Sequence, residues 1–251
     1  MTDMNCASKK IALITGANKG IGFETARQLA EKGMTVILGG RDLKAVKIAA
    51  EKILSMGYAA DYILLDITSS EHIHAALDTI NEKYGRLDIL VNNAAIRIEH
   101  YGLNPSEQPM QKWRDTFNTN LFGMVELTVA LLPLIKKSNA GRIVNVSSLL
   151  ASITTHTDQD SYAYSPMFKS LPAYSAAKSA VNSWTIHLAY ELRDTVIKVN
   201  AVHPGYTITD MNDGAGDLDV SAGALTSVQM ATLDNSGPSG TFTHMGNTIG
   251  W

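Results

Sequence analysis

Short apolar runs alternate with stretches of helical periodicity along almost the whole chain. The run at 11–14, Ile-Ala-Leu-Ile, is rich in β-branched residues and is followed by glycines; a helical pattern then passes through Ile21, Thr25, Ala26, Leu29 and Ala30. A second run at 35–38 precedes a helix carrying Leu43, Val46, Lys47, Ala50 and Leu54. A third at 62–65 precedes one carrying Ile73, Ala76, Leu77 and Ile80. A fourth strand falls at 87–91, then a loop, a long helix around 113–137 and a fifth strand at 142–146. After a Ser/Pro-rich stretch the pattern predicts a helix over about 173–193, a sixth strand over 196–202, a last helix near 221–233 and a short strand near 241–243.

Strands covered on both faces read as unbroken Val/Ile/Leu runs, and helical connections between them imply right-handed crossovers. The expectation is an α/β fold: a single doubly wound Rossmann-type domain over 1–251, with a parallel sheet of about seven strands flanked by helices. No internal repeat, low-complexity linker or composition break divides the chain. Two long loops, 148–172 and 204–220, each follow the carboxyl end of a strand. That edge is where open parallel sheets bind ligands, which makes these loops candidate substrate walls and lid.

Composition narrows the partners. Lys and Arg total 21 against 24 Asp and Glu, a formal charge of −3 with no long run of either sign, which argues against nucleic acid. Apolar stretches such as 129–135 fall short of the ~18 residues that cross a bilayer, and MTDMNCASKK lacks an apolar signal core. A soluble, cytoplasmic protein without a membrane partner is expected. Cys6 is the one cysteine, so neither a disulfide nor a thiolate metal cluster is available. The histidines show no grouping beyond His72-x-His74, which project to different sides of a helix, and no metal is expected.

Candidate chemistry begins at the first strand-to-helix junction, Thr15-Gly16-Ala17-Asn18-Lys19-Gly20-Ile21-Gly22. Gly16 permits a tight turn, Gly20 leaves room for a pyrophosphate on the amides and dipole of the new helix, and Gly22 lets that helix lie close to its strand. The spacing is G-x-x-x-G-x-G where the general dinucleotide fingerprint is G-x-G-x-x-G. At the end of the second strand, Gly40-Arg41-Asp42 stands where a carboxylate would bind a ribose 2′-hydroxyl and repel a 2′-phosphate. Gly40 is neutral, and Arg41 with Lys19 offers charge to a phosphate; alternatively Arg41 only solvates a helix start, with Asp42 partly neutralising it. The phosphate reading is preferred because an arginine at a helix N-terminus opposes the dipole.

Tyr174 and Lys178, four apart on a predicted helix, share one face, and a cation there could stabilise the anion of a phenol whose ordinary pKa is about 10. Ser147-Ser148 ends the fifth strand, and Asn120 interrupts a helical segment with an amide that favours local hydrogen bonds. Trp113 and Trp184 read as helix packing residues, while Trp251 must pack on a neighbour or be exposed. Tyr162, Tyr164, Met167 and Phe168, joined by Tyr206, form either an apolar substrate wall or a self-packed surface loop.

Taken in order, these pieces resemble the short-chain dehydrogenases/reductases: TGANKGIG at 15–22, LDIT at 65–68, NNAA at 92–95, NTNLFG at 118–123, IVNVSS at 143–148, YSAAK at 174–178 and HPGYTITDM at 203–211. The resemblance implies that Tyr174 is the general acid, that Ser148 polarises the carbonyl, and that Lys178 lowers the tyrosine pKa while binding the nicotinamide ribose. It implies that Asn120 holds a water linking Lys178 to solvent and that Ser147 is a supporting hydrogen-bonder. For the cofactor it implies Gly16, Asn18, Lys19, Gly20, Ile21, Gly22 and Arg41, with Asp66 and Ile67 beside the adenine and Asn93 and Ala94 beside its ribose. Pro204, Gly205 and Thr207 would hold the carboxamide end, and Thr209 would lie near the phosphates.

Two departures stand out. Ala95 replaces the glycine that commonly ends the NNAG segment, and the gap from Ser148 to Tyr174 is 26 positions, about twice that of many members. The lengthened segment and the basic Lys19 and Arg41 look most like the carbonyl-reductase branch, some of whose members carry an insertion there that blocks subunit packing; a homo-oligomer stays possible. The expectation is an NADP(H)-dependent oxidoreductase reducing a small-molecule ketone or aldehyde to an alcohol. The alternatives are a 3-oxoacyl thioester reductase and a non-catalytic NADP-sensing protein.

Overall fold

Residues 9–251 are described by a computed structural model; Cys6 lies outside them. The chain runs β1 (Ile11–Thr15), α1 (Gly20–Glu31), β2 (Thr35–Gly40), α2 (Leu43–Ser55), β3 (Ala60–Leu64), α3 (Ser70–Tyr84) and β4 (Ile89–Asn92). It continues through α4 (Met110–Phe117), a π-helical segment (Asn118–Gly123), α5 (Met124–Ile135), β5 (Arg142–Val146), α6 (Ile153–Thr157), α7 (Pro166–Lys169) and α8 (Pro172–Glu191). Last come β6 (Lys198–Val202), α9 (Val220–Ala231), β7 (Phe242–His244) and β8 (Asn247–Thr248).

One sheet orders the strands β3-β2-β1-β4-β5-β6-β7-β8, and every pair is parallel except β7 with β8. The chain winds outward from β1 to β3 and resumes at β4 on the other side of β1. The loops after β1 and β4 therefore diverge and leave a crevice at the carboxyl edge.

Alternate residues of each strand enter opposite cores. Leu13, Ile37, Leu90, Ile143 and Val199 pack with α3, α5 and α8, while Ile14, Leu38, Val91, Val144 and Val202 pack with α1, α2 and α9. Both faces are covered, which is why the strands read as continuous apolar runs. Helix starts follow local chemistry: the side chains of Asp42, Ser69 and Asp219 accept the N–H of Ala45, His72 and Ala222.

The structure adds four details to the expected fold. The sheet has eight strands, and the last is antiparallel. It returns through Met245-Gly246, both with positive φ (46° and 82°), and no Asn-Gly marks this hairpin in the sequence. The helix expected around 113–137 begins at Met110 and widens into a π turn at Asn118–Gly123. The 148–172 loop is not irregular: it holds α6, α7 and a short 3-10 turn at Tyr162–Tyr164. Finally, the helical run Met110–Ile135 contains an 18-residue window of mean hydropathy 1.4, long and apolar enough by composition to cross a membrane. Half of that window is buried in the fold, and Leu127, Leu131 and Leu134 belong to the core, as a packed helix requires.

Candidate active site

The crevice after β1 and β4 is a cleft of about 560 Å³. Gly16, Asn18, Lys19, Gly20 and Ile21 line one side, Asn93 and Ala94 the back, and Arg41, Asp66 and Ile67 one end. Thr15 fixes this geometry. Its Oγ1 accepts the N–H of Asn93 (3.0 Å) and of Ala94 (2.9 Å), and Asn93 Nδ2 in turn donates to the Thr15 and Gly16 carbonyls. Gly16 and Gly20 take φ of +62° and +60°, and a Cβ on Gly22 would lie 2.5 Å from Asn93 Nδ2.

Helix α1 has no side-chain cap on its N-terminus and no acid in its first turn. Its leading amides therefore present an uncompensated donor set to the cleft, which fits a dinucleotide pyrophosphate. Thr209 stands across this turn, its Cγ2 3.8 Å from where a Gly20 Cβ would be.

At the far end Asp42 is used as the α2 cap, while Arg41, exposed, makes no hydrogen bond or ion pair among the described residues. A Cβ on Gly40 would lie 2.7 Å from Val46 Cγ1, so the position is closed to a carboxylate side chain without movement. Lys19 is not free: it pairs with Asp210 of the 204–220 loop at 2.5 Å, both side chains well exposed. Burial opposes the ionised form of Asp66, but hydrogen bonds from the Thr68 hydroxyl and N–H, with His72 and Arg41 nearby, hold its pKa below the ordinary value.

Pro204, Gly205 and Thr207 do not line this cleft. Thr207 is 1% exposed, and its hydroxyl donates toward the Pro204 and Gly205 carbonyls at 3.2 and 3.4 Å, shaping the loop itself. That loop folds back on itself through an isolated bridge between Thr207 and Leu218.

Ser148, Tyr174 and Lys178 gather beyond the cleft, at the end of β5 and on α8. A buried amide ladder holds these elements together: Asn92 Nδ2 donates to Asn145 Oδ1 and to Thr128 Oγ1, and Asn145 Nδ2 donates to Thr185 of α8, each at 2.9 Å. Ser148 Oγ accepts the Leu150 N–H and lies near enough to the Tyr174 phenol to bear on its pKa. Burial raises the Tyr174 pKa; nearby Ser148 and Arg97 oppose that rise, and Glu99 and Tyr101 add to it. Lys178, 3% exposed, donates to the Val146 carbonyl at 2.7 Å with Nζ 5.8 Å from the Tyr174 ring centre, and burial lowers its pKa to about 8. Ser147 Oγ lies 3.5 Å from the Lys178 carbonyl.

Asn120 sits in the π segment, where widened turns are frequent at functional sites. Both ends of its amide are engaged on Ile96: Oδ1 accepts the N–H and Nδ2 donates to the carbonyl, each at 2.8 Å.

Sequence patterns did not point to Arg97 or Glu99, in the loop after β4. Glu99 accepts the Tyr174 N–H at 2.6 Å, and Arg97 donates to Asn212 Oδ1 at 2.8 Å while lying over the Tyr101 ring. The Ile-Arg-Ile-Glu alternation offered no periodic signal for either. Of the aromatics, Trp251 stacks on Phe242 at 5.8 Å, and Trp113 stacks on Phe117. Tyr162, Phe168 and Tyr206 form a ring cluster that joins the packing around Tyr174, with Tyr162 itself partly open to solvent, and Tyr164 and Met167 are exposed.

Residues 10–217 match the short chain dehydrogenase family. The chain is 33% identical to short-chain dehydrogenase/reductase 1 of Saponaria officinalis, covering 94% of both chains. It is 32% identical to (+)-neomenthol dehydrogenase of Capsicum annuum, over 94% of this chain and 95% of that one. It superposes with a TM-score of 0.80 on a short chain dehydrogenase of Escherichia coli CFT073 solved with NADPH, at 29% identity over 93% of this chain and 95% of the other. A doubly wound sheet with a glycine turn at its crevice and a Ser, Tyr and Lys set beside it defines a nucleotide-dependent oxidoreductase fold. This chain belongs to the short-chain dehydrogenase/reductase family of oxidoreductases.

Proposed function

We propose that this protein is an NADP(H)-dependent carbonyl reductase. The observation that carries the reading is the buried Tyr174 with Lys178 Nζ 5.8 Å from its ring centre and Ser148 near enough to bear on its phenol, next to a cleft with an uncapped helix N-terminus. NADPH, when bound, supplies the hydride.

The chain's own residues position a carbonyl and deliver the proton. Ser148 orients the carbonyl oxygen, and Tyr174, whose pKa burial raises, keeps its proton at neutral pH and donates it to the oxygen as negative charge develops there. Lys178, with a pKa of about 8, is mainly cationic at neutral pH and binds the nicotinamide ribose. Because the Asn120 amide is engaged on Ile96, a water linking Lys178 to solvent would be held by the Asn120 backbone carbonyl instead. Arg41, unpaired at the cleft's end, supports preference for a 2′-phosphate, as does the NADPH bound to the Escherichia coli relative.

The test is a spectrophotometric screen of NADPH oxidation with aryl ketones, diketones, ketoesters and acyl thioesters. Turnover of ketones is expected. Dominant thioester activity would favour the carrier-bound substrate, and no turnover across the set would point to a cofactor-sensing protein.

A further inference from the structure

His203, directly after β6, is 6% exposed, and both its ring nitrogens are engaged. Nδ1 accepts the backbone N–H of Leu149 at 3.1 Å. A backbone amide can only donate, so Nδ1 carries no hydrogen, and the neutral ring bears its hydrogen on Nε2. Nε2 lies 3.2 Å from the Tyr162 hydroxyl and therefore donates to it. Burial, with the His244 ring tilted against it at 4.9 Å, lowers the His203 pKa to about 3, so this tautomer persists across physiological pH.

The consequence falls on Tyr162. Its oxygen is the acceptor in the His203 contact, which leaves the phenolic hydrogen to point elsewhere. Desolvation around the hydroxyl raises the Tyr162 pKa, with Tyr174, Asp217 and Tyr206 adding to it, so that hydrogen is retained. The ring packs on Phe168 at 5.3 Å and Tyr206 at 6.2 Å, and those two share one cluster with Tyr174. Leu149, which holds His203, directly follows Ser148. Tyr162 is nonetheless 40% exposed, so one side of it remains open to a ligand.

We propose that Tyr162 is a second substrate-contacting hydroxyl, oriented by His203, which donates a hydrogen bond to an oxygen on the carbon next to the carbonyl held by Ser148 and Tyr174. The class of substrate that uses it is a carbonyl compound with a vicinal oxygen: a diketone, a hydroxyketone or a ketoester. This inference rests on the carbonyl-reductase reading.

The experiment compares benzil with deoxybenzoin, which lacks the second oxygen, in wild type and Tyr162→Phe, with thermal unfolding run on both proteins. Phenylalanine keeps the ring packing and removes only the hydroxyl. The expected result is a roughly three- to tenfold loss of kcat/KM for benzil, carried by KM, and less than a twofold change for deoxybenzoin. A binding arm needs no turnover: calorimetric titration of the NADP+-loaded proteins with benzoin and with the alcohol formed from deoxybenzoin should show the same selective loss for benzoin. If wild type reduces both ketones and the variant loses both equally or neither, the role of Tyr162 is overturned and the carbonyl-reductase reading stands. If wild type reduces neither ketone, that reading fails, and the binding arm decides on Tyr162 alone: absent or unchanged discrimination for benzoin overturns it.

Discussion

The Glu99 carboxylate reaches from the loop after β4 to the first turn of α8 and accepts the backbone N–H of Tyr174 at 2.6 Å. Leu171 at the N-cap of α8 offers no side-chain acceptor, so a residue distant in sequence does for this helix what Asp42, Ser69 and Asp219 do locally for theirs. Its second oxygen, Oε2, is buried without a hydrogen-bond partner. One contact thus both seats the tyrosine and sets a negative charge near its phenol.

Glu99→Gln should separate those effects. The amide keeps an acceptor for the Tyr174 N–H but removes the charge that raises the tyrosine pKa, against Arg97 and Ser148, which lower it. The alkaline limb of the kcat/KM profile for ketone reduction should move to lower pH, while the melting temperature changes little. Glu99→Ala should instead destabilise the fold by about 1–2 kcal/mol, read by denaturant unfolding. An unmoved alkaline limb in the glutamine variant would show that the carboxylate charge is not felt at the phenol.

Lys178 should depress stability at neutral pH. Its folded pKa of about 8 lies below the ordinary 10.5, so the penalty for its buried charge is complete below pH 8 and disappears as pH rises toward 10.5. The shift corresponds to roughly 3 kcal/mol. Lys178→Met loses the bond to Val146, a loss independent of pH, and escapes the penalty. The stability of wild type relative to this variant should rise between pH 8 and 10.5 in cofactor-free urea titrations, and a flat difference would contradict the buried cation.

Tyr174→Phe should abolish ketone reduction with cofactor affinity nearly unchanged, because the residue lies outside the cleft proposed to take the dinucleotide phosphates. Fluorescence titration with NADPH and steady-state rates test the two halves separately. Residual turnover above a few per cent of wild type would remove Tyr174 from the proton-donor role.

Cofactor choice should depend on Arg41 and, indirectly, on Asp210. Arg41→Ala should lower kcat/KM for NADPH by one to two orders of magnitude, as loss of about 1.5–3 kcal/mol from a charged contact implies, and for NADH far less. Asp210→Asn releases Lys19 from its ion pair and should raise NADPH affinity by no more than about fivefold, since exposed pairs contribute about 0–1 kcal/mol. Both effects should shrink at high salt. Equal loss of both cofactors in the arginine variant would place the 2′-phosphate elsewhere.

The central strands were legible because burial on both faces leaves them no polar alternation, and the glycine turn because positive φ at Gly16 and Gly20 demands glycine. Tyr174 and Lys178 were legible because helical spacing puts them on one face. The π segment was hidden: widening one turn at Asn118–Gly123 barely disturbs the apolar period on either side. The terminal hairpin was hidden because Met245 takes a positive φ that its side chain does not advertise. Glu99 and His203 act through contacts 75 and 54 positions away, and no local pattern encodes such a distance.

The segment from Ser148 to Tyr174 begins and ends on the two residues proposed to handle the carbonyl oxygen, and although Leu150, Phe168 and Leu171 pack at its ends, each end is also anchored by an element outside it. β5 holds one and α8 the other, and the Asn145 to Thr185 hydrogen bond joins those elements directly beneath the loop. Mutation and insertion in the part of that stretch away from those packed residues can therefore be inherited as changes of substrate preference with less disturbance to the proton-transfer geometry. Selection can act on preference and on chemistry in separate parts of one chain.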